Sequence, residues 1–100
     1  MLRITVNESA SAKTIKLEGK ITGPWVEEFS RAWQTLGDSP RAKEVQVDLR
    51  EVAFVDAKGR ELLHEIYRES KAHFLTDSPL TRYFADEAMR PSQKQEKQGD

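Results

Sequence analysis

From its second residue the chain alternates. Leu2, Ile4 and Val6 are apolar and Arg3, Thr5 and Asn7 are polar, the period of two that a strand with one buried face imposes. Asn7 to Ala12 is small and polar and reads as a hairpin loop. Ile15 and Leu17 then alternate with Thr14, Lys16 and Glu18, and Gly19 punctuates this second strand. The two segments predict an antiparallel hairpin. Gly23-Pro24 ends the alternation, and Pro24 suits the first turn of a helix because its missing N–H would be unpaired there anyway. Val26, Phe29, Trp33 and Leu36 follow at helical spacing, with Glu27, Glu28, Arg31 and Gln34 facing away. Glu27 and Glu28 sit in the first turn, where the helix dipole favours negative charge. Gly37 ends the helix, and Asp38-Ser39-Pro40 reads as a turn.

Val45, Val47 and Leu49 give a third alternating strand, followed by a short apolar stretch from Val52 to Val55. Asp56-Ala57-Lys58-Gly59 is a strand-to-helix junction. Beyond it, Leu62, Leu63, Ile66 and Tyr67 line one helix face. Ala72 to Thr76 reads as a short strand, and Asp77-Ser78-Pro79 starts a last helix carrying Leu80, Tyr83, Phe84 and Ala88. The order β-β-α-β-α-β-α predicts an α/β domain whose mixed, mostly parallel sheet begins with an antiparallel hairpin. Parallel strands covered on both faces read as continuous apolar runs. These strands alternate, so helices are expected mainly on one face, leaving Arg3, Thr5, Lys16, Glu18, Gln46 and Asp48 towards water on the other.

One hundred residues allow one core and no second. The predicted domain is 1–90; residues 91–100, PSQKQEKQGD, carry no apolar side chain and are expected to be a disordered tail. Sixteen basic and seventeen acidic residues nearly cancel, which argues against a nucleic-acid partner or an anionic-membrane binder. The absence of cysteine removes disulfides, thiol catalysis and thiolate metal sites. No apolar run approaches a membrane span, and no signal-peptide core follows Met1, so no membrane insertion and a cytoplasmic location are expected.

At Glu44 to Leu63, EVQVDLREVAFVDAKGRELL, the chain resembles the STAS domain family: a strand ending in hydrophobic-Asp-Leu, a short link, a hydrophobic pair, Asp-x-x-Gly and an apolar helix. LEGKITGPWVEEF resembles that family's second strand and first helix, and DSPLTRYF its last strand-to-helix turn. The resemblance spans roughly residues 2–89 and is carried by the ordered set, since Asp-x-x-Gly alone is common. It implies the STAS-like fold, no cofactor, and a protein-interaction role like that of an anti-sigma factor antagonist. Relatives of that kind carry a phosphorylatable Ser or Thr directly before the glycine. Lys58 stands there, preceded by Ala57. Asp56 and Gly59 match; the phospho-acceptor does not.

The residues of the junction also have a reading of their own. Asp56 stands at a helix N-cap, where its carboxylate can accept from the N–H of Lys58 or Gly59. Gly59 permits other backbone or a partner to come close. Lys58 puts a cation at the positive end of the helix dipole, an opposition of a few tenths of a kcal/mol, and is no mimic of phosphate. An aspartyl-phosphate role for Asp56 lacks the acidic companions a metal would need. His64 and His73 are far apart without further ligand-type residues, so neither suggests a metal site. No serine stands in a Gly-x-Ser-x-Gly elbow and no glycine-rich phosphate cradle is present. Trp33 shares the apolar stripe of its helix and is expected in the core. Trp25 lies off it, a half-exposed candidate contact.

These readings predict a non-enzymatic docking domain. Its partner-binding loop is Asp56, Ala57, Lys58, Gly59 and Arg60, with a secondary contact at Ile21, Thr22 and Trp25. The resemblance implies an anti-sigma factor or kinase-like regulator as partner. Two alternatives stand beside it: an accessory STAS subunit on the ATPase of an ABC-type lipid transporter, and a nucleotide or small-ligand binding domain.

Overall fold

A computed structural model describes residues 1–37 and 44–90. The expected turn at Asp38-Ser39-Pro40 and the expected tail from Pro91 lie outside the described residues. Strands β1 (Leu2–Glu8) and β2 (Ala12–Ile21) are followed by helix α1 (Pro24–Gly37), β3 (Glu44–Val55), α2 (Ala57–Ser70), β4 (His73–Leu75) and α3 (Pro79–Met89). The sheet has the order β1-β2-β3-β4, with β1 antiparallel to β2 and the remaining pairs parallel. This is the predicted architecture. The hairpin loop is tighter than expected, because Asn7 pairs with Thr14 and Glu8 with Lys13. The third strand and the apolar stretch after it form one continuous β3.

One face of the sheet carries the core. Ile15 and Leu17 from β2 and Val47 and Leu49 from β3 are fully buried, against Phe29 and Leu36 of α1, Leu63 and Ile66 of α2 and Phe84, Ala85 and Ala88 of α3. Trp33, expected inside, is only half-buried: it packs on the core with its ring while Nε1 points out to Glu69. Val6, on the core side of edge strand β1, is 44% exposed. In α3 the inward side is Thr81, Phe84, Ala85 and Ala88, so Leu80 and Tyr83 are left exposed. Thr81 is buried because it closes a capping box with Ser78.

Two charged residues break the alternation in instructive ways. Lys13 is buried on the core side of β2, its Nζ donating to the Leu36 carbonyl at 2.9 Å. A cation there meets the negative end of α1 and satisfies a carbonyl that has no partner within the helix. Asp48 does not face water as expected: only 4% exposed, it lies beneath Arg50, whose Nε and Nη2 reach its two oxygens at 3.0 and 2.9 Å. The Arg50 N–H donates to the same carboxylate at 3.1 Å. These donors, led by the guanidinium, hold the Asp48 carboxyl below its ordinary pKa.

Candidate functional site

The C-terminal ends of the parallel strands β2 and β3 lie side by side, Ile21 beside Val55, so the two strand-to-helix turns that follow are neighbours. At the β3–α2 turn Asp56 has extended backbone, and its Oδ1 accepts from the Gly59 N–H at 2.8 Å, capping α2. Its second oxygen accepts from the Gly23 N–H at 3.0 Å, in the turn that opens α1. The Asp56 N–H donates to the Ile21 carbonyl at 3.1 Å. One residue thus laces two loops that are far apart in sequence. The Gly23 N–H, and after it the Gly59 N–H, stabilise the ionised carboxylate and lower its pKa.

Each glycine of this corner has a separate reason. Gly23 has φ of +55°, left-handed backbone that favours glycine, with open space around its missing side chain. Gly59 is buried, and a Cβ there would stand 2.8 Å from Val55 Cγ1 and 2.9 Å from the Ile21 carbonyl oxygen. The close approach that Gly59 permits is therefore that of Ile21 backbone. Ile21 itself is fully buried. Both were expected among the contact residues; their side-chain positions face inward and shape the junction instead.

What the junction exposes is Ala57 and Lys58, with Thr22 and Trp25 half-exposed beside them. Trp25 packs against the core with part of its ring. Arg60 is drawn back, Nη1 donating to the Val55 carbonyl at 3.2 Å. Lys58 makes no salt bridge or hydrogen bond among the described residues. It stands at the mouth of a cleft of about 420 Å³ between α1 and α2, lined by Gly23, Val26, Glu27, Ser30, Lys58, Glu61, Leu62 and Glu65. Three carboxylates against one ammonium give the cleft an acidic rim over a Val26–Leu62 floor. Sequence reasoning missed this cleft. Lys58, Glu61, Leu62 and Glu65 do share one helix face by their spacing, but nothing in the sequence states which helix that face borders.

Elsewhere, His64 Nδ1 lies 2.9 Å from the Ala88 carbonyl, joining α2 to the last turn of α3, and its buried Nε2 has no hydrogen-bond partner among the described residues. His73 lies at the surface, 3.3 Å from Glu44. Among the described residues no group of three or more His, Asp or Glu side chains is placed to hold a metal ion, and no helix is long and apolar enough to cross a membrane.

No family model and no curated protein matches the chain. Among solved structures, it is similar to an uncharacterised protein of the DUF3478 family with a SpoIIAA-like fold from Shewanella loihica PV-4, with a TM-score of 0.56 and 15% identity over 82% of this chain and 72% of that one. The SpoIIAA-like fold is the STAS fold, and at this identity the likeness establishes the fold alone. The chain has a STAS-like α/β fold.

Proposed function

We propose that this domain is a non-catalytic docking module that grips a regulatory protein constitutively at the Asp56 junction. The observation that carries the reading is the double hydrogen bond of Asp56 to Gly23 and Gly59. It immobilises two adjacent loops in the folded state, so little conformational entropy is left to lose when a partner docks. On this rigid corner Lys58 makes no salt bridge or hydrogen bond among the described residues, and it stands beside a cleft whose apolar floor suits a partner side chain. Ala57 and Lys58 offer no hydroxyl, so the phosphate that toggles similar STAS domains has no acceptor at this corner. The partner, by the sequence resemblance, is an anti-sigma factor or kinase-like regulator; the transporter ATPase is the alternative within the same fold.

The rim carboxylates Glu27, Glu61 and Glu65 repel phosphates, which weighs against a nucleotide in the cleft. Ser30, the one hydroxyl that lines the cleft, accepts from Gln34 and makes no hydrogen bond to Lys58 or to a rim carboxylate among the described residues, which supports a binding role over catalysis. Affinity capture from the source cell tests the reading, with wild type, Lys58→Glu and Arg82→Glu as baits. Arg82 is exposed on α3, which follows a strand paired with β3 at Gln46–Asp48 rather than at the Asp56 end. A partner retained by wild type and Arg82→Glu and lost by Lys58→Glu is the expected result; equal retention by all three overturns the proposal.

A further inference from the structure

Helices α1 and α2 are tied to each other at two places. Asp56 accepts the Gly23 N–H where both helices begin, and Trp33 Nε1 donates to Glu69 about three turns further on. The helices therefore run side by side in the same direction, and the cleft of about 420 Å³ lies between the ties. Its walls carry charge in order. Lys58 stands by the helix starts, Glu27 and Glu61 follow about one turn further along, and Glu65 comes about a turn after Glu61. Val26 and Leu62 are half-buried, each packed against the core, and make the floor.

Glu27 sits in the first turn of α1, where the helix dipole favours it. Glu61 and Glu65 lie beyond the first turn of α2, four residues apart, a like-charge spacing that weakens a helix. All three carboxylates are exposed, and none makes a salt bridge or hydrogen bond among the described residues. They do not converge on one point either: among the described residues no group of three such side chains is placed to hold a metal ion. Spread carboxylates above an aliphatic floor fit a cation on an apolar stem, which is what a lysine or arginine side chain is.

Given docking at the Asp56 junction, on which this inference rests, we infer that the cleft receives a Lys or Arg of the partner protein together with an adjoining aliphatic side chain. The cationic head lies among Glu27, Glu61 and Glu65, its methylene stem runs over Val26 and Leu62, and the aliphatic neighbour covers the rest of that floor. Arginine suits the place better than lysine, because its fork of five donors serves more than one carboxylate. Lys58 sets the direction. It precedes Glu65 by seven residues, about 10 Å along α2, and draws an acidic residue of the same segment to the opposite end. Charge complementarity along one axis thus selects a segment that reads acidic, aliphatic, basic. An acidic segment or a phosphate would meet three carboxylates in the cleft.

NMR titration of the isotopically labelled full chain tests this with two capped peptides, Asp-Ala-Ala-Leu-Leu-Ala-Ala-Arg and the same sequence ending in Glu. The Arg peptide is expected to shift the amide signals of residues 23–30 and 58–65 saturably, and the Glu peptide to leave them in place. The double variant Glu61→Gln, Glu65→Gln is expected to bind the Arg peptide about fivefold more weakly. Asp86→Asn, on the exposed side of α3, is expected to bind it as wild type does. Shifts with neither peptide, equal shifts with both, or an undiminished response of the double variant overturns the inference. A partner lost by Lys58→Glu, with no response to the Arg peptide, removes this inference and leaves docking at the corner standing. A partner indifferent to Lys58→Glu, with the peptide responses as expected, removes docking at the corner and leaves the cleft a site for basic segments.

Discussion

The carboxylate of Asp56 accepts the Gly23 N–H at 3.0 Å across thirty-three positions of sequence, while its other oxygen caps α2 through Gly59. That pairing converts two strand-to-helix turns into one rigid corner, and it explains why an acidic residue stands at this place whether or not a neighbour is ever phosphorylated. Asp56→Asn keeps the shape but opposes an amide donor, or a weaker carbonyl acceptor, to one of the two N–H groups. A loss of about 1–2 kcal/mol is expected at neutral pH, read from urea unfolding.

The pH dependence of that loss has a definite sign. The folded-state pKa of Asp56 is lowered by the Gly23 and Gly59 N–H groups. Its contribution is therefore complete above the unfolded value of about 3.9 and disappears as pH falls through the lower folded value. Asp48, lowered mainly by Arg50, acts in the same direction and is common to both proteins. Thermal melts of wild type and Asp56→Asn are expected to differ at neutral pH and to converge in acid below that value. A gap that widens on acidification would contradict the assignment.

Gly59→Ala is expected to destabilise although alanine is the better helix former by about 1 kcal/mol. The new methyl would press on Val55 and on Ile21 backbone, which cannot swing aside, and overpacking of this kind costs about 1–3 kcal/mol. A net loss in melting temperature checks this; a gain would mean the corner is looser than described.

Lys13→Met keeps the apolar stem of the side chain and removes its donor to Leu36. The α1 terminus loses its cation and a buried carbonyl loses its partner, for an expected cost of about 1–3 kcal/mol. Because the ammonium is buried, the difference between the two proteins should barely change with added salt. Urea unfolding at low and high ionic strength measures both quantities.

Lys58→Ser restores a hydroxyl at the position where similar STAS domains are phosphorylated. Incubated with ATP and a kinase of the anti-sigma factor type, the variant is expected to acquire phosphate within residues 56–59, and the wild type is expected to acquire none there. Peptide mass spectrometry distinguishes the two. Phosphate on the wild-type peptide would contradict the constitutive reading.

Element order and sheet type were legible because alternation at Leu2–Val6, Ile15–Leu17 and Val45–Leu49, and the helical stripe from Val26 to Leu36, each report one face against the core. The N-cap at Asp56 and a helix start within Asp77-Ser78-Pro79 were legible from local chemistry. What escaped depends on neighbours distant in sequence. Asp48 reads as an outward residue until Arg50 folds over it, and Val6 reads as core until the reach of the helices is known. Gly59 and Ile21 read as contact residues because a motif names positions and not directions; the 2.9 Å approach of the Ile21 carbonyl is a tertiary fact. The α1–α2 cleft joins half-faces from two helices, and neither half is conspicuous alone.

Lys58 at the Asp56 corner is where the account is most exposed, and direct titration of the purified partner with wild type and Lys58→Glu addresses it. The substitution puts negative charge at the start of α2 and should slightly raise the domain's own stability, so weaker binding could not be ascribed to damage. The prediction is a loss of at least about tenfold in affinity, ~1.4 kcal/mol, with Arg82→Glu unchanged. Equal affinity of wild type and Lys58→Glu would contradict docking at this corner.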